Sequence, residues 1–391
     1  MTRRASVARH SRISWRLAQT QRQLPMNHSL HSIVEQAKKL RPTATVVRRG
    51  NGIIQVERGD LLSAEEKRKR VAQAKATPFR KGKIYEYGDG RSWVESIISD
   101  SPLLAEHHEM SIRVATFNVW FSEHCWEARF HALFELLVRQ EHVQIICLQE
   151  VTPRFLKKLL EFDIIRTQYR VSDNGNCASI GRYGVAMLVD KSLPPPSLGW
   201  VTLPTDMGRS ALLVHWQKQV CIATVHLESL NSQCCRSLQL KTIHDELKFF
   251  DTAILAGDFN ITATGPWSNQ KEHDSVSHLL SGFEDLWVRE NGSDGDVEAS
   301  PKHSLGVTFD GRVNSMAKDV STPDVARYDR VMVLEHQEGV CALDIRIVGK
   351  DPIEPDLFIS DHFGLTFDLV ASSSNVPQHH STSRVSFKEG L

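Results

Sequence analysis

Between residues 111 and 370 the chain repeats one device: a short apolar run, rich in β-branched residues, that stops at a polar side chain. Residues 112–117 stop at Asn118, 143–148 at Gln149-Glu150, 220–225 at His226, and 252–256 at Gly257-Asp258, with Phe259-Asn260 following. Runs of about four to eight such residues have strand length and are too short for buried helices. Further runs lie at 184–189, 211–216, 330–334, 343–348 and 365–370. Helical patterns interrupt them. Trp126, Phe130, Leu133, Phe134 and Leu137 recur on one helical face. Residues 152–162 open with Thr152-Pro153, a helix start, and 232–250 and 275–289 also read as helices. The runs 211–216 and 220–227 are joined by a short link, which predicts an antiparallel hairpin and excludes both a strict βα barrel and a purely parallel sheet. The expected fold is α/β: two mixed sheets packed face to face, with helices outside.

The polar stops carry the chemistry. In extended chain Asp258 and Asn260 share a face, so both can address one atom; an Asx turn after a buried strand explains the same pair. Asp329 lies in Tyr328-Asp329-Arg330, and Ser360-Asp361-His362 precedes the last run. Each of these residues alone is compatible with a cap or a satisfied core polar group. Together they hold the parts of a phosphoester site. Glu150 and Asp361 are hard oxygen ligands of the kind Mg²⁺ prefers, with water completing the shell. Asp258 can orient and deprotonate a water. Asn118, Asn260, His226 and His362 can donate to phosphoryl oxygens, and Asp329 can hold His362 charged and in one tautomer. No Cys/His cluster has zinc spacing.

The rest of the chain is less specific. Residues 1–34 hold six arginines and no acidic residue, the composition of a mitochondrial transit peptide or of a basic leader. In 35–110, an unassigned N-terminal region, residues 46–56 read as a hairpin around Asn51-Gly52. The run 64–76 reads as a charged helix with a solvated face. The tail 372–391 is polar and Ser-rich, a composition that favours disorder. Residues 1–100 carry 21 Lys+Arg against 9 Asp+Glu, whereas 101–391 carry 26 against 38, so a basic arm precedes an acidic body. No run of about 18 apolar residues marks a transmembrane helix. The seven cysteines show no CxxC pattern and read as reduced thiols of an intracellular protein, in nucleus or cytoplasm, or in mitochondria if the leader is a transit peptide. Nothing in the sequence sets the oligomeric state.

In this order the motifs resemble the endonuclease/exonuclease/phosphatase superfamily over about 112–370, so 111–371 is read as the catalytic domain. The resemblance implies a four-layer α/β sandwich, one Mg²⁺ (or Mn²⁺), and phosphoester hydrolysis. By it, Asn118 and Glu150 fall on the metal side with Asp361, Asp258 and Asn260 form the Gly-Asp-x-Asn pair, Asp329 supports the last histidine, and Asp361-His362 closes the motif. Within the superfamily the likeness is closest to the tyrosyl-DNA phosphodiesterase 2 subfamily, which removes tyrosine from 5′-phosphates of DNA. It rests on Leu148-Gln149-Glu150-Val151, Met207-Gly208-Arg209, His226-Leu227-Glu228-Ser229 and Val307-Thr308-Phe309-Asp310. Tyr183 and Arg209 match substrate-side positions there, with a core tyrosine and a surface arginine as the alternatives. Phe309 replaces a tryptophan, keeping an aromatic face without the indole N–H. Leu230-Asn231 follows the His-Leu-Glu-Ser segment where the subfamily has Thr-Arg-Gly, and Phe117-Asn118-Val119-Trp120 also suits sphingomyelinase-like members. The expected activity is therefore Mg²⁺-dependent hydrolysis at nucleic-acid ends, with a 5′-phosphotyrosyl bond as the leading substrate. The rivals are an abasic-site endonuclease or exonuclease, a deadenylase, a sphingomyelin or inositol-phosphate hydrolase, or a binding module that has lost catalysis.

Overall fold

The computed structural model describes residues 44–48, 54–58, 79–103, 111–177, 180–230, 232–262, 269–292, 306–317, 325–336 and 339–371. The strands Ala44–Arg48 and Ile54–Arg58 pair antiparallel, as expected of the hairpin, and belong to a unit separate from the main body. The Asn51-Gly52 turn, the basic leader, the 64–76 run and the tail lie outside the described residues.

The main body contains two large mixed sheets. One has seven strands in the spatial order Glu284–Asp285, Asp329–Glu335, Thr252–Asp258, Val220–His226, Ser210–Trp216, Ser197–Thr202 and Phe79–Lys81. The other has eight: Val340–Val348, Gly364–Ala371, Ser111–Asn118, Ile145–Val151, Gly184–Asp190, Tyr169–Val171, Tyr85–Tyr87 and Trp93–Glu95. Their inner faces share one core, in which Ile112, Val114, Ile145 and Met187 of the eight-stranded sheet meet Leu212, Ile222, Ile254 and Val331 of the seven-stranded one. On its outer face the eight-stranded sheet packs against the helices Trp126–Phe134 and Pro153–Glu161. The seven-stranded sheet packs against Gln233–Leu247 and Gln270–Leu279. Helix, sheet, sheet, helix is the four-layer sandwich the sequence pattern implied.

Local rules account for most boundaries. Thr152 caps its helix by accepting from Phe155 N at 3.1 Å, with Pro153 at the first position. The 275–289 helix is corrected to two, Gln270–Leu279 and Leu286–Asn291. Gly282 breaks the segment with φ +88°, and Asp285 starts the second helix by accepting from Trp287 N and Val288 N. Both sheets also extend upstream of residue 111, through the three-residue strands at 79–95. Among the described residues no helix is long and apolar enough to cross a membrane, and the seven cysteines are free thiols.

Register is what gathers the polar stops. His226 pairs with Asp258 in the parallel ladder, and Asp258 with Asp329 in the antiparallel one. In the other sheet Asn118 pairs with Gln149, one residue before Glu150. Directly beneath, Gln149 Nε2 donates to Thr116 Oγ1 (3.0 Å) and, across the sandwich, to Thr224 Oγ1 (2.9 Å). One buried carboxamide thus ties the two sheets beneath the strand ends that carry the site.

Candidate active site

Three backbone departures aim the strand ends. Gly257 sits at φ +144°, and a Cβ there would lie 2.1 Å from Val225 O, so the residue before Asp258 must be glycine. Asn260 (φ +53°) and Glu150 (φ +60°) adopt the left-handed conformation that costs non-glycine residues energy, and Glu150 sits where the Ile145–Val151 strand bulges. Both are residues the sequence assigns to chemistry.

Asp258, 2% exposed, is the centre. Its Oδ1 accepts from Asn260 N at 2.8 Å and its Oδ2 from Asn118 Nδ2 at 3.0 Å. Asn118 Oδ1 accepts from Trp120 N, and Asn260 Nδ2 donates to Leu227 O at 3.2 Å, so each carboxamide keeps one N–H for another partner. His226 Nε2 lies 3.4 Å and His362 Nε2 3.9 Å from Asp258 Oδ2.

The histidines are held in different states. Arg209 Nη1 faces His226 Nδ1 at 3.1 Å. A guanidinium can only donate, so Nδ1 accepts and the ring hydrogen is on Nε2, toward Asp258. Burial and the Arg209 charge push His226 down to about 3, so the ring is neutral at physiological pH. His362 Nδ1 is 2.8 Å from Asp329 Oδ2. Burial works against its charge, but Asp329, Asp258 and Asp361 outweigh burial and hold the imidazolium well above the usual range. Both nitrogens of that ring are then donors, and Nε2 also points to Asp258.

Glu150 and Asp361 form the carboxylate side. Glu150 Oε2 accepts from Phe121 N at 2.9 Å, and its Oε1 is 3.9 Å from His226 Nε2. Burial and the Asp361 charge push Glu150 up to about 7, and burial pushes Asp361 up to about 6 against the pull of His362 and Ser360. Two carboxylates whose ionisation is opposed by burial and by other acids are what a divalent cation relieves. Among the described residues no three His, Cys, Asp or Glu side chains form one metal-binding group. The donor set that fits a divalent cation here is two carboxylates with the remainder from water and substrate.

A family model for the endonuclease/exonuclease/phosphatase family matches residues 115–362, the span that holds every one of these side chains. The chain belongs to this family. The family makes it a hydrolase acting on phosphoester bonds, and divalent-metal dependence is general among its members. Solved structures agree in fold. D. rerio TDP2 complexed with single-strand DNA product is 21% identical, covering 67% of this chain and 99% of that one with a TM-score of 0.52. TDP2 from C. elegans is 20% identical, covering 68% of this chain and 77% of that one, also at 0.52. No curated protein matches the chain.

The family site is flanked by the remaining expected residues. Tyr183 stands between Arg209 and Phe121: Arg209 Nη2 donates to its hydroxyl at 3.4 Å, and Phe121 stacks on its ring at 5.0 Å. Arg209 is 6% exposed, so it is no surface arginine. Phe309 packs edge-on to His362 at 5.1 Å and to Tyr328 at 5.6 Å, and the Tyr328 and His362 rings are themselves 6.0 Å apart, so the three form one cluster. All eleven expected side chains thus gather at one end of the sandwich. Two positioning residues escaped the sequence reading. Glu228, 1% exposed, accepts from Thr205 Oγ1, Asp206 N and Gln239 Nε2 and so holds the loop from which Arg209 reaches His226. Arg129, 3% exposed, donates to the carbonyls of Val119, Trp120, Ser122, His124 and Ile359, tying the loop after Asn118 to the segment before Asp361. The His-Leu-Glu-Ser motif already displayed Glu228. Arg129 carried one signal, a charged residue on an apolar helix face.

Proposed function

We propose that the protein is a Mg²⁺-dependent phosphodiesterase acting on nucleic-acid ends, with the 5′-phosphotyrosyl bond of DNA as its substrate. The observation that carries the reading is Asp258 set between a neutral and a charged histidine, beside two carboxylates suited to a cation. Glu150 and Asp361 would hold the ion, which when bound supplies neutralising charge to a phosphoryl oxygen. Asp258, its two oxygens oriented by Asn118 and Asn260, positions water for in-line attack and takes its proton. His362, kept charged by Asp329, and the Nε2–H of His226 face the phosphoryl oxygens as preorganised donors. Arg209 fixes the tautomer of His226 and adds positive charge behind it. The DNA-bound TDP2 relative supports a nucleic-acid strand as substrate, and Tyr183 and Phe309 supply aromatic walls for a base or a tyrosyl ring.

The test is release of tyrosine from a 5′-phosphotyrosyl oligonucleotide, with Mg²⁺ and with EDTA, by wild type and Asp258→Ala. Metal-dependent release that the mutant loses is expected. Turnover of a small aryl phosphodiester, or of abasic DNA, poly(A) or sphingomyelin, without tyrosine release would keep the hydrolase and discard the substrate. Glu150→Ala should raise the Mg²⁺ concentration for half-maximal rate by about 10- to 100-fold; an unchanged requirement would remove Glu150 from the metal side.

A further inference from the structure

Arg209 sets the tautomer of His226, and the loop that carries Arg209 is itself held by a closed circuit of hydrogen bonds. The circuit turns on one hydroxyl. Thr205 Oγ1 donates to Glu228 Oε2 at 2.6 Å and accepts from Met207 N and Arg209 N, both at 3.0 Å. A hydroxyl has one hydrogen and two lone pairs, so these three bonds use it completely. The carboxylate can only accept, so it takes the hydrogen and leaves both lone pairs to the backbone of residues 207 and 209. Between them the chain passes through Gly208 at φ +80°, the left-handed region that glycine enters without strain.

Glu228 is fixed from behind. Its Oε1 accepts from Asp206 N at 2.8 Å, and its Oε2 also accepts from Gln239 Nε2 at 3.1 Å. Gln239, on the helix Gln233–Leu247, accepts from Glu228 N at 2.9 Å, and its Nε2 donates to Pro204 O at 2.9 Å. Arg236, three residues earlier on that helix, donates to Glu228 O at 2.8 Å while holding both oxygens of Glu272 at 2.7 Å. Among the described residues every partner of the Glu228 carboxylate is uncharged. A buried carboxylate without a cation is costly, and these accepted bonds offset only part of the cost. What the arrangement gains is direction. Glu228 holds Arg209 through its backbone and not through its guanidinium, which stays aimed at His226 with Nη1 3.1 Å from Nδ1. The chain closes the circuit, since His226 and Glu228 are two residues apart.

Resting on the donor role given to His226 above, we propose that Thr205 and Glu228 are positioning residues for the hydrolysis: through Arg209 they keep His226 Nδ1 an acceptor and its Nε2–H directed at Asp258. Neither touches the reacting atoms. Without the hydroxyl, Arg209 N loses the acceptor that Thr205 supplies, and the guanidinium is no longer held at one place beside the ring. A misplacement of about 1 Å can cost as much as about 10²-fold in rate.

The experiment compares the full chain as wild type, T205V, T205S, E228Q, R209M and T205V/R209M, with far-UV spectra checked. One readout is kcat and KM for bis(4-nitrophenyl) phosphate with Mg²⁺. The other is the ring-nitrogen shifts of ¹⁵N-histidine at pH 7, without substrate. T205V should lower kcat about tenfold with KM little changed, and His226 should pass from hydrogen on Nε2 alone to a mixture of tautomers. E228Q should act in the same direction, and T205S, which keeps the hydroxyl, should restore both readouts. Because Thr205 acts through Arg209, T205V should add nothing to the loss in R209M. Losses that multiply overturn the positioning role. So does a T205V rate loss with His226 still wholly Nε2-protonated, which marks a merely structural residue. The proposed function fails separately: an R209M as active as wild type removes Arg209 from the mechanism, whereas an impaired R209M beside an unimpaired T205V discards only the positioning role. Should wild type leave this diester intact, the tautomer readout decides alone.

Discussion

His226 and His362 are the same side chain, both under one-tenth exposed, at 3.4 and 3.9 Å from one carboxylate oxygen, yet one is held neutral and the other charged. The difference is made on the far side of each ring. A guanidinium behind His226 demands a lone pair and repels a proton; a carboxylate behind His362 demands N–H and attracts one. One half of the site is therefore a neutral donor wired to a cation, the other a cationic donor wired to an anion. Asp258 between them sees two N–H groups but only one formal charge. A base flanked by two imidazolium ions would be too weak to take a proton, and one flanked by two neutral rings would leave the phosphoryl charge to the metal alone.

The comparison breaks most completely when its shared element is removed. Asp258→Asn should cost at least about 10²-fold in kcat with the fold retained; near-full activity would end the role of Asp258 as base. Next in size, Asp329→Asn removes the anion that charges His362. Rates should fall about 10- to 100-fold, and the alkaline limb of the pH profile should move to lower pH as the imidazolium becomes easier to deprotonate. An alkaline limb that stays in place would mean that His362 does not act charged. The mirror change, Arg209→Met, should cost about tenfold and raise the His226 pKa from about 3, because one of the three effects that depress it (burial, Arg209 and His362) is gone. Titration of the ring by NMR checks this.

The smallest effect is on stability, and it has opposite signs in the two halves. His226 takes a proton in the unfolded chain near 6.5 but in the fold only near 3, so it makes stability fall as pH drops through that window. His362 binds its proton more tightly in the fold. Its contribution is complete below about 6.5 and is lost as pH rises through its raised folded value. Urea unfolding of His226→Gln should show a shallower loss of stability on the acid side than wild type. His362→Gln should fall furthest below wild type at and below neutral pH. Parallel curves for the two variants would contradict the assignment.

Much of this site could be read along the chain because strands deliver it. Period and length marked the runs ending at Asn118, His226 and Asp258, and register then brought those ends together without further information. The short strands at 79–95 were not legible. They are three residues long and mostly exposed or half-buried, so they lack an apolar alternation to detect. Loop-borne features were hidden for a different reason. The course of the loop after Asn118 depends on Trp120 in the left-handed conformation and on Arg129 reaching five carbonyls, and neither leaves a periodic trace. Asn118 shows the limit within a motif. Its place at the strand end was read correctly, but its partner in the structure is Asp258, a contact 140 residues away that only the packing of the two sheets decides.

The most direct test of the account is the charge of the two rings in one sample. In protein labelled with ¹⁵N-histidine, with His226→Gln and His362→Gln used to assign the signals, ring nitrogen shifts are measured at pH 7. The account predicts that His226 is neutral with hydrogen on Nε2 alone, while His362 carries hydrogen on both nitrogens. Two rings in the same charge state, or His226 with its hydrogen on Nδ1, would contradict it.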